Sequence, residues 1–269
     1  MKKVLSIAGS DCSGGAGIQA DLKTFSAHGV FGMSAIASVV AENTFRVIEF
    51  QNIRPDIIEK QIDAVFEDIP PDAVKIGMLS CREGMLAVAG RLHKWNAVNV
   101  VIDPVMYAKN GCALMDPDSI DTLIAHIVPL ADVLTPNIPE AEKIAEMEIH
   151  SQDDMEEAGR RIHKMGCKAV LVKGGHSEGD ATDILFDGVG VHYFSSPRIN
   201  TKNTHGTGCT YSAAIASNLA LGFPVQEAVA NAKKYVTTAI TYSLELGKGH
   251  GPTNHFYDIY KHGLKGVNL

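Results

Sequence analysis

The run Ala73-Val74-Lys75-Ile76 is followed by a helical pattern over residues 82–94 and then by Asn99-Val100-Val101-Ile102. The unit recurs: a helical pattern over 119–126, then Asp132-Val133-Leu134, helical patterns over 140–146 and 153–165, and Ala169-Val170-Leu171-Val172. These apolar runs lack polar alternation, which predicts strands covered on both faces. Strands alternating with helices predict a doubly wound α/β fold with a central, mostly parallel sheet, as a single domain over 1–269. Towards the N-terminus the pattern continues with a strand at 4–8, a glycine-rich loop at 9–17, a helix at 18–28, strands at 33–40 and 47–53, and a helix at 56–66 behind Pro55. Towards the C-terminus, residues 183–187 and 191–195 read as a hairpin around Gly188-Val189-Gly190, followed by helices at 209–220 and 225–244.

The chain has 269 residues, 45% of them hydrophobic and 20% charged, with a net charge of −7. That is ordinary for a soluble globular protein, and the negative balance argues against a nucleic-acid partner. No apolar stretch approaches the ~20 residues of a membrane span, and the apolar run after Met1 is too short for a secretory signal. The five cysteines, Cys12, Cys81, Cys112, Cys167 and Cys209, form no CxxC pair. Reduced thiols in a cytoplasmic protein are the expectation.

Ligands of open α/β sheets bind beyond the carboxyl ends of the strands. The segments that reach that rim are Gly9-Ser10-Asp11, Lys75-Ile76-Gly77-Met78, Asp103-Pro104-Val105-Met106, Thr135-Pro136-Asn137 and Lys173-Gly174-Gly175. Asp103 and Glu140 are candidates for organising Mg²⁺, which is held by one or two carboxylates and substrate phosphates. The same residues also suit a turn cap and a helix start. Lys173 can meet a phosphate as a point charge, or remain a solvated strand-end lysine. No GxxxxGK[ST] element is present, and the first loop does not match GxGxxG, so neither a P-loop nor a dinucleotide fold is favoured.

The turn Asn203-Thr204-His205-Gly206-Thr207-Gly208-Cys209-Thr210 runs directly into the helical pattern Tyr211-Ser212-Ala213-Ala214-Ile215-Ala216-Ser217. Amides free at a helix start make an anion site, here suited to a phosphoryl group. Cys209 sits where the helix dipole lowers a thiol pKa and favours the thiolate. An anion cradle beside a proton acceptor suggests phosphoryl transfer to an alcohol, with Gly206, Thr207, Gly208 and Cys209 as its parts; the same stretch also reads as a plain glycine-bearing loop with a small buried Cys.

These motifs, together with Gly14-Gly15-Ala16-Gly17-Ile18-Gln19-Ala20-Asp21, Pro139-Glu140-Ala141 and Val172-Lys173-Gly174-Gly175-His176, stand in an order that closely resembles the hydroxymethylpyrimidine/phosphomethylpyrimidine kinases of thiamine biosynthesis. Those enzymes belong to the ribokinase-like superfamily, as do the pyridoxal kinases. The resemblance covers roughly residues 3–255. It implies a homodimer that uses ATP and Mg²⁺ to phosphorylate the hydroxymethyl group of an aminopyrimidine and then its monophosphate. A pyridoxal/pyridoxine kinase is the alternative. The implied substrate pocket takes in Ala8, Gly9, Ala16, Asp21, the region 40–44 with Glu42, Met78, Val105 and Cys209. The implied nucleotide and metal side takes in Asn137, Lys173, Thr207 and Gly208, with Asp103 and Glu140 for the metal. Sugar kinases of the superfamily typically carry Asp where Cys209 stands. Many members of the resembled family carry Gln at the position of Glu42. A Gln amide both donates and accepts, whereas an ionised Glu only accepts.

Overall fold

The computed structural model describes residues 1–108, 111–175 and 180–263. His176 therefore lies outside the described residues. Among the described residues nine strands form one sheet: β1 (Lys3–Gly9), β2 (Phe31–Asn43), β3 (Arg46–Asn52), β4 (Ala73–Ile76), β5 (Val100–Ile102), β6 (Val133–Leu134), β7 (Val170–Val172), β8 (Ala181–Phe186) and β9 (Val191–Ser196). Their spatial order is β3-β2-β1-β4-β5-β6-β7-β8-β9. The six strands from β2 to β7 run parallel. β3 joins one edge antiparallel, and β8 and β9 close the other edge as a hairpin. The expected α/β architecture with a mostly parallel central sheet is what the chain adopts.

The strands carry apolar side chains on both faces, and the period of two sorts them into two cores. Leu5, Ile7, Val74, Ile76 and Ile102 face one way. They pack with side chains of α2 (Pro55–Asp68), α3 (Arg82–Lys94), α5 (Ile138–Ala145) and α6 (Gln152–His163). Val4, Ala73, Val101, Val133 and Leu171 face the other way. They meet α1 (Gly17–Ala27), α7 (Thr207–Ala220) and α8 (Val225–Thr241). Helix α7 is built from small residues because it lies across the middle of the sheet and is buried from Thr210 to Ala220.

Several boundaries differ from the sequence reading. β2 extends to Asn43 because β3 folds back on it, pairing Asn43 with Arg46. The pattern at 119–126 is not one regular helix. A short turn α4 (Ile120–Thr122) widens over Leu123–Ile127 and then tightens over Val128–Leu130, where Pro129 lacks the N–H an α-helix needs. α8 ends at Thr241, and a short α9 (Tyr257–His262) follows, which the sequence reading did not contain.

The site depends on how the loop after β1 meets the start of α7. Gly206 adopts φ = 76°, and a Cβ there would stand 1.7 Å from the carbonyl oxygen of Gly15. Only glycine allows that approach. Asp11 secures the same junction. Its carboxylate accepts the N–H groups of Ser13, Gly15 and Ala16 at 2.7–2.9 Å and His205 Nε2 at 2.8 Å. Burial opposes the charge, but His205 and the other donors overcome it and hold the Asp11 carboxyl well below the ordinary aspartate range. Replacing Asp11 by Ala is expected to lower unfolding stability in urea by about 1.5–3 kcal/mol at neutral pH. Because the folded-state Asp11 pKa is depressed, its own contribution is full above about pH 4 and is lost as the pH falls, while the part that Asp11 gives by favouring charged His205 fades as the pH rises through the raised His205 pKa.

Candidate active site

At the carboxyl ends of the parallel strands opens a cavity of about 630 Å³. Its walls bring together Gly9, Ala16, Glu42, Met78, Val105, Asp103, Asn137, Glu140, Lys173 and the turn from Gly206 to Cys209. Residues separated by up to two hundred positions converge there because each follows a parallel strand or opens the helix after it.

The start of α7 forms one end of the cavity. Thr207 N–H and Oγ1 both turn back to the carbonyl of Thr204, at 3.3 and 2.8 Å. The amides of Gly208 and Cys209 lie in the first helical turn, where the helix itself supplies no acceptor. A Cβ on Gly208 would sit 3.0 Å from Asp103 Oδ2 and 3.6 Å from Lys173 Nζ, so the bare backbone lies directly against this ion pair. Lys173 Nζ donates to Asp103 Oδ1 at 2.7 Å. Burial works against the Lys173 ammonium, but Asp103, Glu140 and Cys209 outweigh it and hold its pKa above the usual lysine value.

Asn137 and Glu140 form a reciprocal cap on α5. Asn137 Oδ1 accepts Glu140 N–H, and Glu140 Oε2 accepts Asn137 N–H, both at 2.9 Å. Part of each side chain is therefore committed to the helix start. Glu140 is nonetheless buried in the cavity wall, and burial, with the negative charge of Asp103 adding to it, pushes its carboxyl up to about 7. Two buried carboxylates that repel each other, with oxygen donors only, suit a hard dication such as Mg²⁺.

At the other end Val40, Met78 and Leu114 form a small apolar group with Val105 and Ala108 against it. Glu42 stands beside this group. Cys12 Sγ donates to the Glu42 carbonyl at 3.0 Å and so ties the first loop to β2. Burial, reinforced by Asp11 and opposed by His205, pushes the Glu42 carboxyl up to about 7. Carboxylate and ring atoms of Asp11, Glu42 and His205 lie within 4.8 Å of one another, but Asp11 already accepts three amides as well as His205.

Three expectations need correction. Cys209 does face the cavity, but burial outweighs the helix start, and its thiol is pushed up to about 11. Lys75 and the amide of Gly17 act in the opposite direction on that sulfur. Asp21 does not line the cavity. It is fully buried, accepting Ser6 Oγ at 2.6 Å and Lys75 Nζ at 2.9 Å. Ala8 is also buried, packed beneath Gly77, where a Cβ would meet it at 3.0 Å.

The sequence reading missed the far wall, which includes Arg198, Ile199, Lys233, Thr237 and Ile240. Lys233 donates to Asp183 Oδ2 at 2.7 Å and to the Ala181 carbonyl at 2.8 Å. On the sequence, a lysine within an amphipathic helix has no signal to separate it from a solvated one.

This arrangement has close relatives. The sequence profile of the phosphomethylpyrimidine kinase family matches residues 11–254. The chain is 50% identical over 253 residues to a bifunctional thiamine-biosynthesis protein of Geobacter sulfurreducens, covering 94% of this chain but only 52% of that longer protein. It is 46% identical over 266 residues to a hydroxymethylpyrimidine/phosphomethylpyrimidine kinase of Staphylococcus aureus, covering 98% of this chain and 96% of the relative. Among solved structures, phosphomethylpyrimidine kinase of Clostridium difficile superposes with a TM-score of 0.81 at 49% identity, over 89% of this chain and all of the other. The ADP complex of Bacillus subtilis pyridoxal kinase superposes with a TM-score of 0.88 at 41% identity, over 95% and 98%. With the fold, the rim geometry and near full-length identity in agreement, this chain belongs to the phosphomethylpyrimidine kinase family.

Proposed function

We propose that the chain transfers the γ-phosphoryl group of ATP to the hydroxymethyl group of 4-amino-5-hydroxymethyl-2-methylpyrimidine, and then phosphorylates the monophosphate, in thiamine biosynthesis. The observation that carries this reading is that the sulfur of Cys209, the first-turn amides of α7 and the Asp103–Lys173 pair open on one cavity. The relatives' activity and the ADP bound to a pyridoxal kinase of the same fold support it.

In this reading the triphosphate lies along the rim, with Asn137, Lys173 and Thr207 on its path. The amides of Gly208 and Cys209 and the Lys173 ammonium stabilise charge on the transferring group. Asp103 and Glu140 would hold Mg²⁺, which when bound neutralises phosphate charge. The pyrimidine ring rests among Met78, Val105 and Leu114, with Gly9 and Ala16 against it and its edge towards Glu42. Once its thiol has given up its own proton to solvent, Cys209 takes the proton of the hydroxymethyl group as the substrate oxygen bonds to the γ-phosphorus, and the bond to ADP breaks with its electron pair on ADP. One domain carries these steps, and the protein works as a cytoplasmic homodimer. No helix of the described residues is long and apolar enough to cross a membrane.

A second reading, pyridoxal kinase, is supported by the superposition on the Bacillus enzyme. Coupled measurement of ADP release with each vitamin alcohol decides between them. Higher kcat/KM for the pyrimidine supports the first reading, and a clear preference for pyridoxal overturns it.

Replacing Cys209 by Ala is expected to leave ATP binding near wild type by calorimetry while lowering turnover by ~10²-fold or more. Turnover close to wild type removes the thiol from the mechanism. Glu42 supplies a pH dependence. Below about 7 its neutral carboxyl both donates and accepts, matching the amine and adjacent ring nitrogen of the pyrimidine. Above 7 the carboxylate only accepts. KM for the pyrimidine is therefore expected to rise with pH above 7, towards tenfold per pH unit, and Glu42→Gln is expected to flatten that rise.

A further inference from the structure

The segment Leu246-Gly247-Lys248-Gly249-His250-Gly251-Pro252, between α8 and α9, has no part in the mechanism above. It lies hard against Thr44, at the tip of the β2–β3 arm. A Cβ on Gly247 would stand 2.3 Å from Thr44 Oγ1, and one on Gly249 would stand 2.2 Å from the Thr44 carbonyl oxygen. Only bare backbone packs so closely. His250 N–H donates to that carbonyl at 2.8 Å, and Gly249 N–H donates to Thr44 Oγ1 at 3.1 Å. The segment's other attachment is the turn before α7. There Gly251 N–H donates to Asn203 Oδ1 at 3.1 Å, and the Gly251 carbonyl accepts His205 N–H at 3.1 Å. The segment is thus a strap from the turn that opens α7 to the tip of the arm. Glu42, two residues before Thr44, lines the cavity. The β2–β3 ladder shifts register between Ala41 and Glu42, and then pairs Glu42 with Val47 and Asn43 with Arg46. A bulge of this kind re-aims a side chain, so the direction of Glu42 depends on what holds the chain on either side. On one side Cys12 Sγ accepts Glu42 N–H at 3.4 Å and donates to the Glu42 carbonyl at 3.0 Å. On the other side is Thr44, in the grip of the strap.

We propose that Thr44 is a positioning residue for substrate recognition, held by the 246–252 strap so that the tip of the β2–β3 arm stays fixed and Glu42 stays aimed at the ring of the substrate alcohol. The strap in this role sets how tightly the ring is held and takes no part in the transfer of the phosphoryl group. The inference rests on the proposed function for the identity of the ring, but its test is by binding and does not require turnover.

The test is calorimetric titration of the intact protein with 4-amino-5-hydroxymethyl-2-methylpyrimidine and, separately, with ADP. Gly249→Ala, whose methyl group must displace the Thr44 carbonyl, is expected to weaken pyrimidine binding about tenfold or more and to leave ADP binding within about twofold of wild type. Thr44→Val keeps the shape of the side chain but loses the bond from Gly249, and is expected to weaken the pyrimidine about fivefold. In a Glu42→Ala background, Gly249→Ala is expected to cost less than about twofold more, because the strap acts through that carboxyl. A merely structural role lowers the unfolding temperature and leaves pyrimidine affinity unchanged, or weakens both ligands alike. Either result overturns the proposal, as does an undiminished loss in the Glu42→Ala background. If Gly249→Ala proves insoluble, Thr44→Val with and without Glu42→Ala decides by the same comparison. A wild type that binds pyridoxal and not the pyrimidine removes the substrate assignment alone, and the same titrations with pyridoxal then decide on the strap. A wild type that binds neither alcohol overturns both readings.

Discussion

The structure depends on the contact between two backbones, Gly206 at the mouth of α7 and Gly15 in the loop after β1. A methyl group at position 206 would overlap the Gly15 carbonyl, so nothing but hydrogen fits there. The contact joins chain segments almost two hundred residues apart and presents the first turn of α7 to the cavity. Asp11 reinforces it by taking three amides of its own loop together with the imidazole of His205. Burial works against a charge on His205, but Asp11 and Glu42 prevail and raise its pKa. The junction is therefore a charged latch with close steric tolerance, and the bare backbone cradle at the start of α7 is one of its products.

Around that cradle the charges alternate in sign. Lys75 sits on Asp21, Lys173 sits on Asp103, and Glu140 and Cys209 stand close enough to feel the lysines. In so dry a setting each group shifts its neighbours' protonation more than it would in water. That is why the thiol does not behave as a helix-start cysteine. The helix start favours a thiolate, but the loss of water around the sulfur is the larger effect.

The cap on α5 shows how one residue serves two ends. Asn137 and Glu140 close the helix with the reciprocal bonds of a capping box, which a sequence reader sees as N-x-x-E before an apolar run. The same closure fixes Glu140 in the cavity wall, near Asp103. The cap uses Glu140 Oε2, so closing the helix does not by itself conflict with the proposed hold on Mg²⁺.

Much of this was legible in the chain. The parallel core of the sheet follows from apolar runs such as 73–76 and 169–172, because a strand buried on both faces leaves no polar alternation. The rim residues Asp103, Lys173 and the 206–209 turn were legible because strand ends and glycine turns are local features. The long β2–β3 arm and the irregular turns over 120–130 were not, since pairing and packing across the fold decide them. Asp21 shows the limit most clearly. On the sequence it is a carboxylate in a motif beside a predicted pocket; in the fold it is turned inward onto Lys75. The far wall from Arg198 to Ile240 was hidden for the same reason, as its residues share a surface only after α8 packs against the sheet. The sequence by itself determined the fold class, the rim and the chemical types at it, because short-range periodicity and backbone constraints are written residue by residue. Only the tertiary structure decided which carboxylates meet the cavity and how strongly the thiol holds its proton, because burial and the distances between distant charges exist only once the chain has closed.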